Sequence, residues 1–400
     1  MRRFFLILIL LFSCKTEAQS SVLHIGDSLY ANGNYTKAIK TYETHDVPEV
    51  VYVKLAKAYI AIGNYGKALF NYKLATDAYP EQALVKYEYA KLLAKTKKRK
   101  EASLLFNELI SVDTLNANYH YELGLVLEQL KDDRGIKKKL DTVTKQIKNR
   151  DKAQQHYLRA YELDKTHQKT IFKLAKYQLI KRNYEASRKY INEGLSSYEN
   201  NAALISLKAQ GYFLDQNYAK AIVFFEKLLS LGESSKFIYE KLSDSYKEEY
   251  EFDKAISNIK LALKFNSEDT RNLYSLGLLY EKVKDYKNAE KYINLSIKLE
   301  DYPLDREYTD LARVYNYLKQ PEKAVKAYKK ALKENPDNMY AKFLIVHTKA
   351  NYYKDVESKI KLYEDFIKDN PKSPFVQMAK HNLSKLKEEQ FLNAEEKKQD

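Results

Sequence analysis

Seven histidines, one cysteine and a dense set of lysines and carboxylates are the side chains of this 400-residue chain with the most chemical reach. His24, His45, His120, His156, His167, His347 and His381 follow no shared spacing. None lies in H-E-x-x-H, the pattern that sets two imidazoles and a general base on one helical turn. G-x-S-x-G and G-x-x-x-x-G-K-[ST] are also absent, so neither a nucleophile elbow nor a phosphate-cradling loop is written here. His120 and His156 could meet across one helical hairpin, but a site needs convergent groups and two rings alone are expected to be packing residues. With Cys14 alone there is no thiolate cluster for zinc. The carboxylates alternate with lysines in the manner of solvated helix faces carrying i,i+4 pairs. No catalytic residue, no metal and no cofactor is therefore expected, and the chemistry left is that of binding.

The first residues bear on where that binding takes place. MRR is a basic start and FFLILILLFS, residues 4–13, an apolar run of ten. A membrane-spanning helix needs about 20 apolar residues, so this run reads as an export signal. No other run is apolar enough to span a bilayer. Cys14 follows directly, in LFSC, which resembles the lipobox of bacterial lipoproteins: Leu11 and Ser13 match it, and Phe12 is bulkier than usual. That resemblance implies cleavage before Cys14, lipid on its sulfur, and an outer-membrane lipoprotein facing the periplasm. The competing reading is cleavage after Ala18, with Thr16 and Ala18 as the small residues, which discards Cys14 and leaves a soluble periplasmic protein. Both remain open, and in both the mature chain has no internal disulfide.

Composition points to helices. Glycine (10) and proline (7) are scarce, tyrosine (36) is abundant and tryptophan absent. The formal charge of +15 concerns solubility and acidic partners, not fold. The basic clusters KTKKRK, residues 95–100, and KKK, residues 137–139, would suit nucleic acid in a cytoplasmic protein. In an exported one no nucleic acid is expected, and they serve solubility or attraction to an anionic envelope surface.

A repeat organises the rest. NYTKA, NYGKA, NYAKA and DYKNA recur at residues 34–38, 64–68, 217–221 and 285–289. With the last Ala as register mark, a small residue precedes it by twelve and a large one follows by four: Ala56, Ala68 and Tyr72; Ala90, Ala102 and Phe106; Ala209, Ala221 and Phe225; Gly277, Ala289 and Ile293; Ala312, Ala324 and Tyr328. Ser187 and Ser243 hold the same register. Units begin near 19, 49, 83, 117, 168, 202, 236, 270, 305 and 340, a period of 34 or 35 for most, the signature of a stacked repeat. Small residues at facing positions let two helices approach, large ones fill the groove to the next pair, and a pair buries its apolar side only against neighbours.

With LG at 123–124 and 276–277 and KENPDN at 333–338, this pattern resembles the tetratricopeptide repeat, with Tyr52, Tyr239 or Tyr308 in place of tryptophan. The resemblance implies an all-α, right-handed α-solenoid of about ten helix hairpins over residues 19–372, after a signal segment at 1–18. Residues 373–393 read as an amphipathic capping helix and 394–400 as a frayed end. The fourth unit has 29 residues from Gly124 to Ala153 where twelve are expected. The surplus, about 131–150, places Ile136, Leu140, Val143 and Ile147 at helical spacing, so both helices of that hairpin are expected to be extended.

The resemblance also implies that the first helix of each pair lines a concave face through its fifth and ninth residues. Those are Val53, Tyr87, Tyr121 and Phe172, and Lys57, Lys91 and Lys176, with Leu125 among the latter. An aromatic and basic groove of this kind suits an extended acidic peptide. Lys57 and Lys91 lack the asparagines of the carboxylate clamp known in the family, so that specificity is not implied. The function expected is a non-enzymatic, protein-binding scaffold of the cell envelope. The alternatives are a soluble periplasmic adaptor of chaperone type and an accessory subunit of an envelope secretion or polysaccharide pathway.

Overall fold

The computed structural model describes residues 21–130, 139–300 and 304–399. Among these there is no strand. The chain falls into two compact units, Met1–Glu199 and Asn200–Asp400, each a succession of antiparallel helix pairs. The first holds α1 (21–31) with α2 (Tyr35–Glu43), α3 (Pro48–Ala61) with α4 (Tyr65–Ala78), α5 (Ala83–Lys95) with α6 (Arg99–Val112), α7 (Ala117–Gln129) with α8 (Lys139–Leu163), and α9 (Gln168–Ile180) with α10 (Tyr184–Ser197). The second holds α11 (Ala202–Leu214) with α12 (Tyr218–Ser230), α13 (Lys236–Glu248) with α14 (Phe252–Leu263), α15 (Thr270–Lys282) with α16 (Tyr286–Leu299), α17 (Asp305–Tyr317) with α18 (Pro321–Glu334), α19 (Met339–Tyr352) with α20 (Val356–Asp369), and finally α21 (Val376–Gln399). From the second unit on, the first helices begin within a residue of the starts read from the period. The all-α stack of hairpins is thus the fold observed.

The register is the one the sequence carries. Ala56, Ala68, Ala90, Ala102, Ala209, Ala221, Ala289, Ala312 and Ala324 are all fully buried, and so are Tyr72, Phe106, Phe225, Ile293 and Tyr328 four residues on from the second member of each pair. Where glycine stands on the first helix, a Cβ would lie 2.6 Å from the Tyr157 ring at Gly124 and 2.6 Å from Ile293 Cγ1 at Gly277. Backbones this close leave a polar atom within reach of the facing chain. The two serines in register use it: Ser187 Oγ donates to the Ala175 carbonyl and Ser243 Oγ to the Ala255 carbonyl, both at 2.9 Å. A hydroxyl so placed is buried with its hydrogen bond made.

The recurring turn closes through one residue in the left-handed conformation, glycine in only two hairpins. The left-handed residue is Gly33, Gly63, Lys97, Arg182, Gln216, Tyr250, Lys284 or Lys319, depending on the hairpin. The next amide reaches back five residues: Asn64 N to the Tyr59 carbonyl at 2.8 Å, Lys98 N to Leu93 at 2.9 Å, Glu251 N to Tyr246 at 2.8 Å. This is the Schellman closure. Asparagine starts the second helix, its side chain accepting from the amide three residues on, as Asn64 does from Lys67 and Asn217 from Lys220, each at 3.2 Å.

Two further departures concern lengths. Only the second helix of the fourth hairpin is extended. α7 stops at Gln129, Leu130 turns to an extended backbone, and its carbonyl accepts from Asn149 Nδ2 at 3.2 Å. That bond satisfies the end of α7 from the side of α8, which begins 11 residues before Arg150. Ile136 lies outside the described residues. At the C-terminus α21 is longer than 373–393 and runs on to Gln399. Its Ala379, Leu383 and Leu386 pack with Phe343, Tyr363 and Phe366, covering the last hairpin as a cap does.

Candidate partner-binding surface

The histidines resolve into structural roles. His167 is the N-cap of α9, its Nδ1 accepting from Thr170 N at 3.2 Å, and His45 Nδ1 accepts from Val47 N at 3.1 Å. His347 Nδ1 lies 3.0 Å from the Tyr363 hydroxyl, and His24 and His381 are exposed. His120 of α7 and His156 of α8 do meet, Nδ1 to Nδ1 at 3.1 Å with rings 5.4 Å apart and near parallel. One nitrogen donates and the other accepts, so the accepting ring must be neutral and the two cannot both be protonated. Among the described residues no three His, Cys, Asp or Glu side chains gather in a way that could hold a metal.

Burial lowers the pKa of both imidazoles; at His120 a hydrogen bond to the Thr114 backbone offsets part of this and Arg159 adds to it, and at His156 the neighbouring His120 ring and Lys152 disfavour a second charge. The unfolded chain therefore takes up protons first. The contribution of the pair to stability is complete above the ordinary imidazole value of about 6.5 and is lost as pH falls below it. The melting temperature should drop between pH 7.5 and 5.5, and the drop should be smaller in His156→Gln. An identical pH profile for that variant would show that the pair does not titrate on unfolding.

The seven residues expected on the concave face divide. Lys57 and Lys176 are exposed, and Val53, Tyr87, Lys91 and Phe172 are half-buried. Tyr121 is not available to a partner. It is buried, with its ring 6.0 Å from Tyr157 and 5.1 Å from His167. α8 brings Tyr157 against it because Gly124, one turn further along α7, leaves room for that ring. Phe172 carries Lys176 at 5.9 Å from its centroid, and Tyr87 carries Lys91 at 5.0 Å. Such stacking holds a lysine stem flat and its ammonium outward.

Lys91 is not the bare cation the spacing suggested. Glu88 Oε1 is 3.4 Å from its ammonium, and it lines a cleft of 470 Å³ with Glu88, Glu122 and Leu125. Burial raises the pKa of Glu122, and Lys91, Lys169 and the Tyr87 hydroxyl pull it back down. This part of the surface is charge-balanced. A second cleft, of 530 Å³, lies among α7, α8 and α9 and includes Lys176. Sequence reasoning did not reach its other residues, Arg150, Tyr177, Ile180 and Lys181. They stand on the second helix and at the end of α9, positions outside the fifth-and-ninth rule. The surplus residues before Ala153 were the signal that this hairpin has an unusual edge.

No described helix is long and apolar enough to cross a membrane. Residues 1–20, with Cys14, and the first two lysines of KKK, Lys137 and Lys138, lie outside the described residues.

Comparisons with known proteins bear on the fold. Residues 306–338 match one sequence model of the tetratricopeptide repeat, and 50–82 and 270–302 match another. These are the hairpins α17–α18, α3–α4 and α15–α16. A search of curated proteins finds no match. Among solved structures, the C-terminal part of a TPR repeat-containing protein from Cytophaga hutchinsonii is similar at 16% identity, covering 64% of this chain and 97% of that one, with a TM-score of 0.50. YrrB, described as a TPR protein with an unusual peptide-binding site, aligns at 18% identity over 46% of this chain and 95% of its own, with a TM-score of 0.43. Yeast Tom70 aligns at 16% identity over 94% and 97%, with a TM-score of 0.36. At such identities a likeness is one of fold. The three matched segments are tetratricopeptide repeats, and the other hairpins share their register.

Proposed function

We propose that the chain is a non-enzymatic scaffold that binds protein or peptide partners on the first-helix face of its N-terminal unit, and that it does so in the bacterial cell envelope. The observation that carries the binding reading is the recurrence of a half-buried apolar or aromatic residue followed one turn later by lysine: Val53 and Lys57, Tyr87 and Lys91, Phe172 and Lys176. Rings and stems at this spacing give an extended chain apolar footholds, and the exposed ammonium groups of Lys57 and Lys176 favour acidic residues beside them. A stack of hairpins exposes such a face along its whole length because each repeat presents the same edge.

The envelope reading rests on the sequence of residues 1–18 alone. Lipid on Cys14 would hold the stack at a membrane surface, firmly if several acyl chains are attached. Cleavage after Ala18, favoured by the small residues Thr16 and Ala18, would instead release a soluble periplasmic adaptor. Affinity capture with crosslinking in the native cell separates these readings. Wild type, Cys14→Ser and Lys57→Glu with Lys176→Glu would be compared. Envelope proteins captured by wild type should be reduced about tenfold or more by the double charge reversal, the effect of about 1.4 kcal/mol. Unchanged capture by that variant would reject the face, and unchanged membrane fractionation of Cys14→Ser would reject the anchor.

A further inference from the structure

The cleft among α7, α8 and α9 has a composition that selects its occupant. Four cations line it, Arg150, Lys173, Lys176 and Lys181, against two carboxylates, Glu128 and Asp151. Of the two carboxylates, Glu128 is already engaged. Glu128 Oε2 accepts from the Tyr157 hydroxyl at 3.0 Å and is 2.6 Å from the Lys173 ammonium. Asp151 acts on Lys181, whose ammonium also sits 4.4 Å from the centre of the Tyr177 ring. Among the described residues no carboxylate pairs with Arg150 or Lys176. Between these cations stand Tyr177, half-buried, and Ile180, 72% exposed, which give the cleft an apolar side.

The geometry points to this cleft as the anchor point for an extended acidic peptide, with an aromatic or large aliphatic side chain of the peptide against Tyr177 and Ile180 and flanking carboxylates at Arg150 and Lys176. The assignment rests on the peptide-binding reading above and narrows it to one place and one pattern, acidic–apolar–acidic. It also gives the long α8 a purpose. In neighbouring hairpins the second helix starts three residues before its register alanine, where Arg150 stands here. In α8 the helix is already under way, so Arg150 and Asp151 are held on a formed helix rather than at a fraying start. Preformed positions of this kind lower the ordering cost of binding. A rigid cleft of 530 Å³ is of side-chain size, and its one-sided charge is what a carboxylate-bearing chain would complement.

The test uses residues 20–400 of the chain and a fluorescein-labelled twelve-residue peptide of Asp, Glu and Gly with one central Phe. Three comparators accompany it: the same peptide with Phe→Gly, the same with Lys for every acid, and a single-stranded DNA 12-mer. Fluorescence anisotropy should show binding of the Phe peptide, about tenfold weaker binding of the Phe→Gly version and none of the lysine version. Arg150→Glu should weaken the Phe peptide about tenfold, and Tyr177→Ser should abolish the difference between Phe and Gly peptides. Arg150→Gln, which leaves no new charge on α8, should weaken it less but measurably, and melting curves of all variants establish folding. If Arg150 and Tyr177 variants bind as wild type while Lys57→Glu loses the peptide, this cleft is overturned and the wider face stands. If neither set of variants matters, or wild type binds nothing, both fall. DNA bound as tightly, with the same dependence on Arg150, would overturn the peptide as occupant.

Discussion

Gly277→Leu should cost the C-terminal unit about 3 kcal/mol, enough to lower its melting temperature by roughly ten degrees. The residue sits mid-helix in α15, where replacing glycine ordinarily gains about 1 kcal/mol of helix propensity. Here the sign reverses. A Cβ would stand 2.6 Å from Ile293 Cγ1, 3.1 Å from the Ile293 amide nitrogen and 3.3 Å from the Ala289 carbonyl. Two of those three atoms are backbone of α16 and cannot swing aside. α15 and α16 must therefore part, and parting them strips the fully buried Ala289 and Ile293 of their contacts. Gly277→Ala should be destabilising by about 1 kcal/mol, the smaller clash offset in part by propensity. Ile293→Ala in that background should recover some of the loss by removing the nearest atom, a coupling that a double-mutant cycle reads directly. A Gly277→Leu protein as stable as wild type would mean that the helices are not packed at this spacing.

Arg313→Ala should be the most damaging polar substitution, at about 2–3 kcal/mol. The guanidinium of Arg313, on α17, forks onto Glu281 of α15, Nε to Oε1 at 2.6 Å and the second nitrogen to Oε2 at 2.8 Å, and also reaches Asp310 Oδ1 at 2.8 Å. The carboxylates are 11% and 13% exposed, the arginine 32%. Removing the cation leaves two nearly buried carboxylates side by side, one of which also takes the Tyr274 hydroxyl. Breaking a fully buried pair costs about 3–5 kcal/mol, and the partial exposure of the guanidinium argues for less. Arg313→Lys should recover only part, because an ammonium cannot repeat the fork. Chemical denaturation of the three proteins measures this, and equal midpoints for Arg313→Ala and wild type would show the triad to be ornamental.

The fold was open to reading because its signal is redundant. Ala68, Ala102, Ala221 and Ala324 are four instances of one packing requirement, and a register that fails at one unit is corrected by the others. Ser187 and Ser243 could be placed in register by number alone, although nothing in the spacing foretold that their hydroxyls would bond the opposite backbone. The surface was less open because charge balance depends on neighbours that a position rule ignores. Lys91 occupies its expected place, but Glu88 one turn before it and Glu122 in the next unit cancel it. Tyr121 had the right number and the wrong surroundings, since Tyr157 arrives from the one helix whose length is irregular. Arg150 and Tyr177 were passed over for a related reason: periodic reasoning describes what repeats, and they belong to what does not.

The turns carry a consequence of their own. Six of the left-handed positions hold Lys97, Arg182, Gln216, Tyr250, Lys284 and Lys319 rather than glycine. Each such residue forgoes roughly 1 kcal/mol. In a compact globule a handful of these would exhaust the margin of a natural protein. In a stack, free energy is summed over many near-equivalent neighbours, and no single hairpin must be well made. Selection acting on the sum leaves individual turns free to drift, so the array evolves as a pooled reserve, with imperfections spread thinly enough that none is purged.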